Sequence, residues 1–240
     1  MESSAEALAR HRSLCGHGAT AWLRAIPSDR DRVVTPVECV LALRRTLGVE
    51  TDLRRVCPGT NCNAGATTRH GRCCNRTGGQ NPQHHALANR LTRTLRAMSI
   101  PATAEDRSPF DSAAFGDLAM DISIPPGALP NAASPDYRNK RLLVDVTIAD
   151  PHASSHLRGG SPAGSAHRDG SAAASGEVRK HAHYEGADRQ TVDPRSFKLV
   201  PLAVEVFGRI GSEGATFLDE LATSISDGAS AGSPRKGTVL

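Results

Sequence analysis

An acidic residue in the middle of an apolar run constrains this chain more than any other feature. Residues 141–151 read RLLVDVTIADP, with Leu142, Leu143, Val144, Val146 and Ile148 surrounding Asp145. Apolar side chains on both parities of so short a run predict a strand covered on both faces, the central kind in an α/β sheet. A carboxylate enclosed there is costly unless something pairs with it. A divalent metal is one such partner, and Lys140 or Arg141 is another. Upstream, residues 118–124, LAMDISI, repeat the pattern around Asp121. The intervening residues 125–139, PPGALPNAASPDYRN, are turn formers, which predicts antiparallel neighbours. Two carboxylates on adjoining strands are the beginnings of a metal site.

The chain of 240 residues is long enough for one or two domains with a real core, and with aromatics at 3% that core must be built from Ala, Leu and Val. No apolar run is long enough for a membrane span. The first residues, MESSAEALARHR, lack the pattern of a signal peptide, so an intracellular protein is expected. Six Cys in a reducing compartment are then metal ligands or plain thiols sooner than disulfides. Charge is divided along the chain. Residues 1–100 hold 15 Arg, no Lys and 7 acidic residues, whereas residues 101–240 carry a net −4. An Arg-rich half suits phosphate contacts, although GC-rich codon usage produces the same bias.

The basic half contains the second informative stretch. Cys57, Cys62, His70 and Cys74 form C-x4-C-x7-H-x3-C, with Cys73 an alternative fourth ligand. Thiolates and one imidazole at short spacing suit tetrahedral zinc, the alternative being a Cys-containing loop without metal. Arg54, Arg55, Arg69, Arg72 and Arg76 surround it, as on a knuckle facing nucleic acid.

Residues 1–20 are poorly patterned and read as a loose arm, with Cys15 and His17 incidental. Thr35, Pro36 and Glu38 open a helix with a capping box, Val37, Val40, Leu41 and Leu47 line one face, and Gly48 ends it. Residues 84–98 form a second helix striped by Leu87, Leu91, Leu95 and Met98. Its Arg90, Arg93 and Arg96 either touch phosphate or make a solvated face. A strand is expected over Ile100 to Ala104, followed by Glu105 and Asp106. Residues 152–176, rich in Gly, Ser, Ala and His, read as a flexible insertion whose histidines are too loosely held to be ligands. A helix from about Ser175 to Gly186 sets Lys180 and Tyr184 on one face. Residues 197–208 are the last strand, with Pro201 marking an edge or bulge. Ser212 starts the final helix, which buries Phe217, Leu218, Leu221 and Ile225.

In this order (Cys/His knuckle, helix, strand, Asp121 strand, Asp145 strand, helix with Lys180 and Tyr184, then FKLVPLAVEVFG) the chain resembles the C-terminal tail of reverse transcriptases from non-LTR retrotransposons, over about residues 20–226. No Tyr-x-Asp-Asp polymerase signature accompanies it. The resemblance implies an α/β fold, a small mixed four-stranded sheet flanked by helices of the restriction-endonuclease-like, PD-(D/E)xK kind. A helical and zinc-knuckle-like segment precedes it. The expected organisation is an arm and capped helix over 1–50, the basic knuckle over 51–82, the endonuclease-like domain over 83–226 and a disordered tail over 227–240.

Carried over residue by residue, Asp121 is the family's first acid, Asp145 its second, and Glu105 the acid just before the sheet. The family's lysine, two positions after the second acid, is Thr147 here, and Lys180 stands in for it unless the site has decayed. The resemblance implies structural zinc on Cys57, Cys62, His70 and Cys74, and catalytic magnesium on Asp121 and Asp145. DNA, or else RNA, is the expected partner, touched by Arg69, Arg72, Arg76, Arg90 and Arg93, with no membrane and no small-molecule substrate. The implied activity is metal-dependent nicking of target DNA in the nucleus. The alternative is a catalytically inactive module binding zinc and nucleic acid, or a relic fragment of the reverse transcriptase.

Overall fold

The computed structural model describes residues 3–23, 33–49, 52–57, 62, 65–67, 70, 74, 81–110, 118–157, 164–185 and 193–231. Helices α1 (Ser4–Leu14) and α2 (Pro36–Thr46) lead to a hairpin of β1 (Asp52–Val56) and β2 (Gly65–Thr67). Helix α3 (Asn81–Ala97), β3 (Thr103–Asp106), β4 (Met120–Ile124) and the short α4 (Pro135–Asn139) follow. Then come β5 (Arg141–Ala149), the single turn α5 (Ser154–Leu157), α6 (Ser171–Glu185), β6 (Phe197–Glu205) and α7 (Ser212–Ala231).

The four long-range strands make one sheet in the order β3-β4-β5-β6, with β3/β4 and β4/β5 antiparallel. Strands β5 and β6 run the same way. The Arg141 amide donates to Ser196 O at their beginnings (3.1 Å), and the Val206 amide donates to Ala149 O at their ends (2.9 Å). The sheet is therefore mixed, and α6 supplies the long crossover that a parallel pair needs. Every residue of β5 from Leu142 to Thr147 is buried, as its unbroken apolar run requires. Pro201 sits on β6, an edge strand, where a missing amide donor is tolerated.

By compactness the chain divides into two units that do not follow the expected linear boundaries. One comprises Met1–Ala86, Thr147–Gly176 and Ala203–Gly211, the other Leu87–Val146, Glu177–Leu202 and Ser212–Leu240. Strands β5 and β6 each contribute residues to both units.

The unit holding Leu87–Val146 is built on Phe110, Met120, Leu143, Tyr184 and Leu199, with Leu118 and Phe197 against them. Tyr137 stacks on Phe217 at 6.4 Å between ring centroids. Burial, and then the nearby Glu213 and Glu220, push the Tyr137 hydroxyl up to about 12. Helix α7 is anchored by Glu177, whose carboxylate accepts the Glu213 amide (2.9 Å) and the Ser212 hydroxyl (3.1 Å). That carboxylate does for the helix start what a cap does.

Several expectations for the other unit need correction. Residues 3–20 are not a loose arm. Ser3 and Glu6 form a capping box, Ser3 accepting the Glu6 amide and Glu6 accepting the Ser3 amide at 2.8 Å, and α1 follows. The S-x-x-E signature was present but is easily passed over in so polar a stretch. Residues 152–157 and 164–176 are not a flexible insertion either. Ser165, Ala166, Ala172 and Ala173 are buried, and α6 starts at Ser171. His152 is buried beside Phe207 (4.9 Å between centroids), with Nε2 2.9 Å from Glu6 O. Small residues here permit close packing, which composition alone reads as flexibility. Residues 158–163 of the insertion lie outside the described residues.

The Thr35 capping box, Pro36 at the helix start and Gly48 in a left-handed conformation (φ 71°) match expectation for α2. Its apolar stripe is not buried, however; Val37 and Leu47 are each 68% exposed. Strand β3 lies over Thr103–Asp106 instead of Ile100–Ala104. Helix α7 continues into the expected disordered tail as far as Ala231; residues 232–240 lie outside the described residues. Among the described residues no helix is long and apolar enough to cross a membrane.

Candidate metal and catalytic sites

The antiparallel register brings the two acids together. Ile122 pairs with Val144, so one step along the ladder Asp121 stands opposite Asp145. Directly opposed residues share a face of the sheet. A carboxylate oxygen of Asp121 and one of Asp145 lie within 4.8 Å of each other. Asp121 Oδ2 accepts the Val146 amide at 2.7 Å, which fixes its side chain against β5.

Lys180 completes the group. Its Nζ lies 2.8 Å from Asp145 Oδ1. The other oxygen, Asp145 Oδ2, is enclosed and has no hydrogen-bond partner of ordinary geometry among the described residues. Burial raises the pKa of Asp145 above the usual carboxylate range. Lys180 opposes that rise, the charge of Asp121 adds to it, and the Tyr184 hydroxyl opposes it again. The same enclosure, and the negative charge of Asp145, push the Tyr184 hydroxyl well above its ordinary value.

Lys140 and Arg141, the other partners open to Asp145, are engaged elsewhere. Lys140 pairs with Asp136 at 2.8 Å, four residues back on α4. Arg141 lies 3.9 Å from Asp106 and donates to Ser108 Oγ at 2.9 Å. Asp106, in turn, accepts the Ser108 amide at 2.9 Å. Burial tends to raise its pKa, but the hydrogen bonds from Ser108 and Ser123 and the charge of Arg141 outweigh that and lower it.

Glu105 is not brought into this group. It is exposed on edge strand β3 and holds a left-handed backbone (φ 50°), unusual for a residue other than glycine. Thr147, where the resembled family has lysine, is buried, and its Cγ2 packs on Gly176, where a Cβ would come within 2.9 Å. Tyr184 is the site residue that sequence reasoning left without a role. Its spacing of four from Lys180 was the available signal, since i and i+4 share one helix face.

The second cluster is Cys57, Cys62, His70 and Cys74. Hairpin β1–β2 pairs Val56 with Gly65, so Cys57 and Cys62 fall at its closed end. The Cys74 amide donates to His70 O at 2.9 Å, which ties these two ligand residues to each other. The four ligand atoms lie within 4.8 Å of one another. Cys57 Sγ is 3.6 Å from Cys74 Sγ, Cys74 Sγ 3.8 Å from Cys62 Sγ, and Cys62 Sγ 3.1 Å from His70 Nε2. Zinc–sulfur bonds of about 2.3 Å at tetrahedral angles set sulfur atoms about 3.8 Å apart. The donor set and its spacing therefore suit a metal such as zinc. Cys73, the alternative ligand, lies outside the described residues.

Of the arginines expected to touch nucleic acid, Arg69, Arg72 and Arg76 lie outside the described residues. Arg90 and Arg93 are exposed on α3, whereas Arg96 turns back to donate to Ala102 O at 2.9 Å.

The chain matches no known protein family, no curated protein and no solved structure. Function is therefore read from the two clusters themselves.

Proposed function

We propose that this chain is a metal-dependent DNA endonuclease of the restriction-endonuclease-like kind, related to the C-terminal tail of non-LTR retrotransposon reverse transcriptases and acting in the nucleus. One observation carries the reading: Asp121 and Asp145 stand opposite each other on β4 and β5, with Lys180 2.8 Å from the second acid. An enclosed carboxylate oxygen with no partner of ordinary geometry among the described residues, beside a second carboxylate, is the donor chemistry that a hard divalent cation such as Mg²⁺ takes. Asp121 and Asp145 would hold it, and once bound it supplies Lewis acidity toward phosphate and a lowered pKa for water. Lys180 brings a positive charge to the place where a phosphodiester gathers negative charge on cleavage. The decisive experiment is nicking of supercoiled plasmid with Mg²⁺ or Mn²⁺, comparing wild type with Asp145→Ala. Nicking that disappears in the variant supports the reading, and plasmid left intact by the wild type removes it.

The Cys3His cluster favours a second reading, a zinc-holding module that binds DNA or RNA without cutting it. Nucleic acid bound equally by wild type and Asp145→Ala, and cut by neither, selects this one.

A further inference from the structure

Next to Lys180 on α6, His181 makes two contacts at once. Its Nδ1 lies 2.6 Å from Glu185 Oε2, one turn further along the same helix. Its Nε2 lies 2.8 and 2.9 Å from the two carboxylate oxygens of Glu213, in the first turn of α7. A neutral imidazole carries a single N–H and can donate to one carboxylate only, whereas the imidazolium donates to both. One turn earlier on α6, Glu177 holds the same start of α7 through the Glu213 amide and the Ser212 hydroxyl. Two side chains four residues apart thus tie one face of α6 to α7.

We propose that His181 is a positioning residue: doubly protonated, it bridges Glu185 and Glu213, locks α6 to the first turn of α7 and so keeps Lys180 on Asp145. What Lys180 does there rests on the proposed nuclease reading; the bridge itself does not. Among the described residues the charged groups acting on the imidazole are Glu185 on α6 and Glu213 on α7, with Glu177 of α6 and Tyr137 of α4 in the field of Glu213. Burial pulls the imidazole down, but the hydrogen bonds and charges of Glu213 and Glu185 outweigh that and raise it above the ordinary 6.5. A raised value gives the sign. The bridge is complete below the unfolded value near 6.5 and is lost as pH rises through the higher folded value. The Glu177 carboxyl, also raised by burial, loses stability in the same direction, so the His181 variants and not the sign alone identify the bridge.

The test uses the full chain and two readouts. Amide exchange along α6, referred to α3 amides in the same sample, should quicken as His181 deprotonates, by on the order of tenfold for each pH unit between its folded and unfolded values. His181→Gln, which keeps one donor, should be quick at both ends of the range. His181→Arg, which keeps both donors and a permanent charge, should stay slow at both. Wild-type plasmid nicking should lose turnover number, and not affinity for DNA, over the same step, with the Arg variant flat. An α6 exchange rate that tracks α3 at every pH, alike in all three proteins, overturns the bridge. Should plasmid remain uncut at every pH while the His181-dependent exchange step persists, the bridge stands and the nuclease reading fails. Cutting without that step supports the nuclease and removes the bridge.

Discussion

Lys180 and Asp145 are joined across 2.8 Å but unequally enclosed, the lysine side chain being 23% exposed and the aspartate 5%. The ammonium therefore keeps part of its hydration while the carboxylate has given up nearly all of its own. Burial dominates at Asp145, and its ionised form is held at a cost that one partly hydrated lysine does not cover.

The first expectation follows from that sign. A carboxyl whose pKa is raised by folding gives its full stability below the unfolded value and loses it as pH rises through the folded value. Asp145→Asn removes this penalty and leaves Lys180 free to turn toward solvent. At neutral pH the variant should melt no lower than the wild type, and any advantage should vanish in acid. Thermal melts across pH, without added metal, measure this. A variant less stable than the wild type by the same margin at every pH contradicts the account. Under the proposed function, Mg²⁺ or Mn²⁺ should raise the melting temperature of the wild type but not of Asp145→Asn.

The reciprocal change should have the opposite effect. Lys180→Met deletes the cation and leaves Asp145 Oδ1 enclosed with its largest favourable partner gone. Breaking a fully enclosed pair this way costs roughly 3–5 kcal/mol, and partial exposure of Lys180 should bring the loss toward or below the lower end. The deficit should shrink as pH falls and Asp145 takes up a proton. Combining the two changes, Asp145→Asn with Lys180→Met, should recover most of the loss, and a double-mutant cycle by chemical denaturation reads the difference.

Gly176 offers a purely steric test. A Cβ there would sit 2.9 Å from Thr147 Cγ2 and 3.4 Å from Ala203 Cβ, and the first of these is a β-branched methyl on a strand that cannot swing aside. Alanine normally gains about 1 kcal/mol over glycine inside a helix. Overpacking of this kind costs about 1–3 kcal/mol, so Gly176→Ala should destabilise on balance. Pairing it with Thr147→Ser, which removes the methyl, should turn the same substitution into a stabilising one.

What the sequence made legible divides along physical lines. Local signals carried well: the Thr35-Pro36-Glu38 helix start, the turn-rich link between β4 and β5, and the register setting Asp121 opposite Asp145 are all encoded within a few residues of where they act. Pairings across long separations did not. Nothing local announced that Arg141 would be taken by Asp106 and Asp145 by Lys180, whereas the Lys140–Asp136 pair, four residues apart, was open to local reading. Residues 164–176 misled because Gly, Ser and Ala serve tight packing as readily as they serve flexible linkers, and burial alone separates the two. The apolar stripe of α2 is legible as a stripe, yet periodicity says nothing of whether a partner covers it.

The Cys3His cluster gives the last expectation. Three sulfur atoms and an imidazole nitrogen lie within 4.8 Å of one another beside the short β1–β2 hairpin, with Cys57 and Cys74 buried. In small sites of this kind the metal's binding energy is folding energy. Purified chain should therefore carry one zinc per molecule, and Cys57→Ser or His70→Ala should each bring the stoichiometry toward zero, since a structural site missing one of its ligands holds metal poorly. Stripping the metal with a chelator at neutral pH should unravel the hairpin. Backbone amide signals over 52–57 and 65–67 should collapse while those of β4 and β5 from 120 to 146 stay in place. Zinc retained at full stoichiometry in either variant would mean that these four residues are not the ligand set.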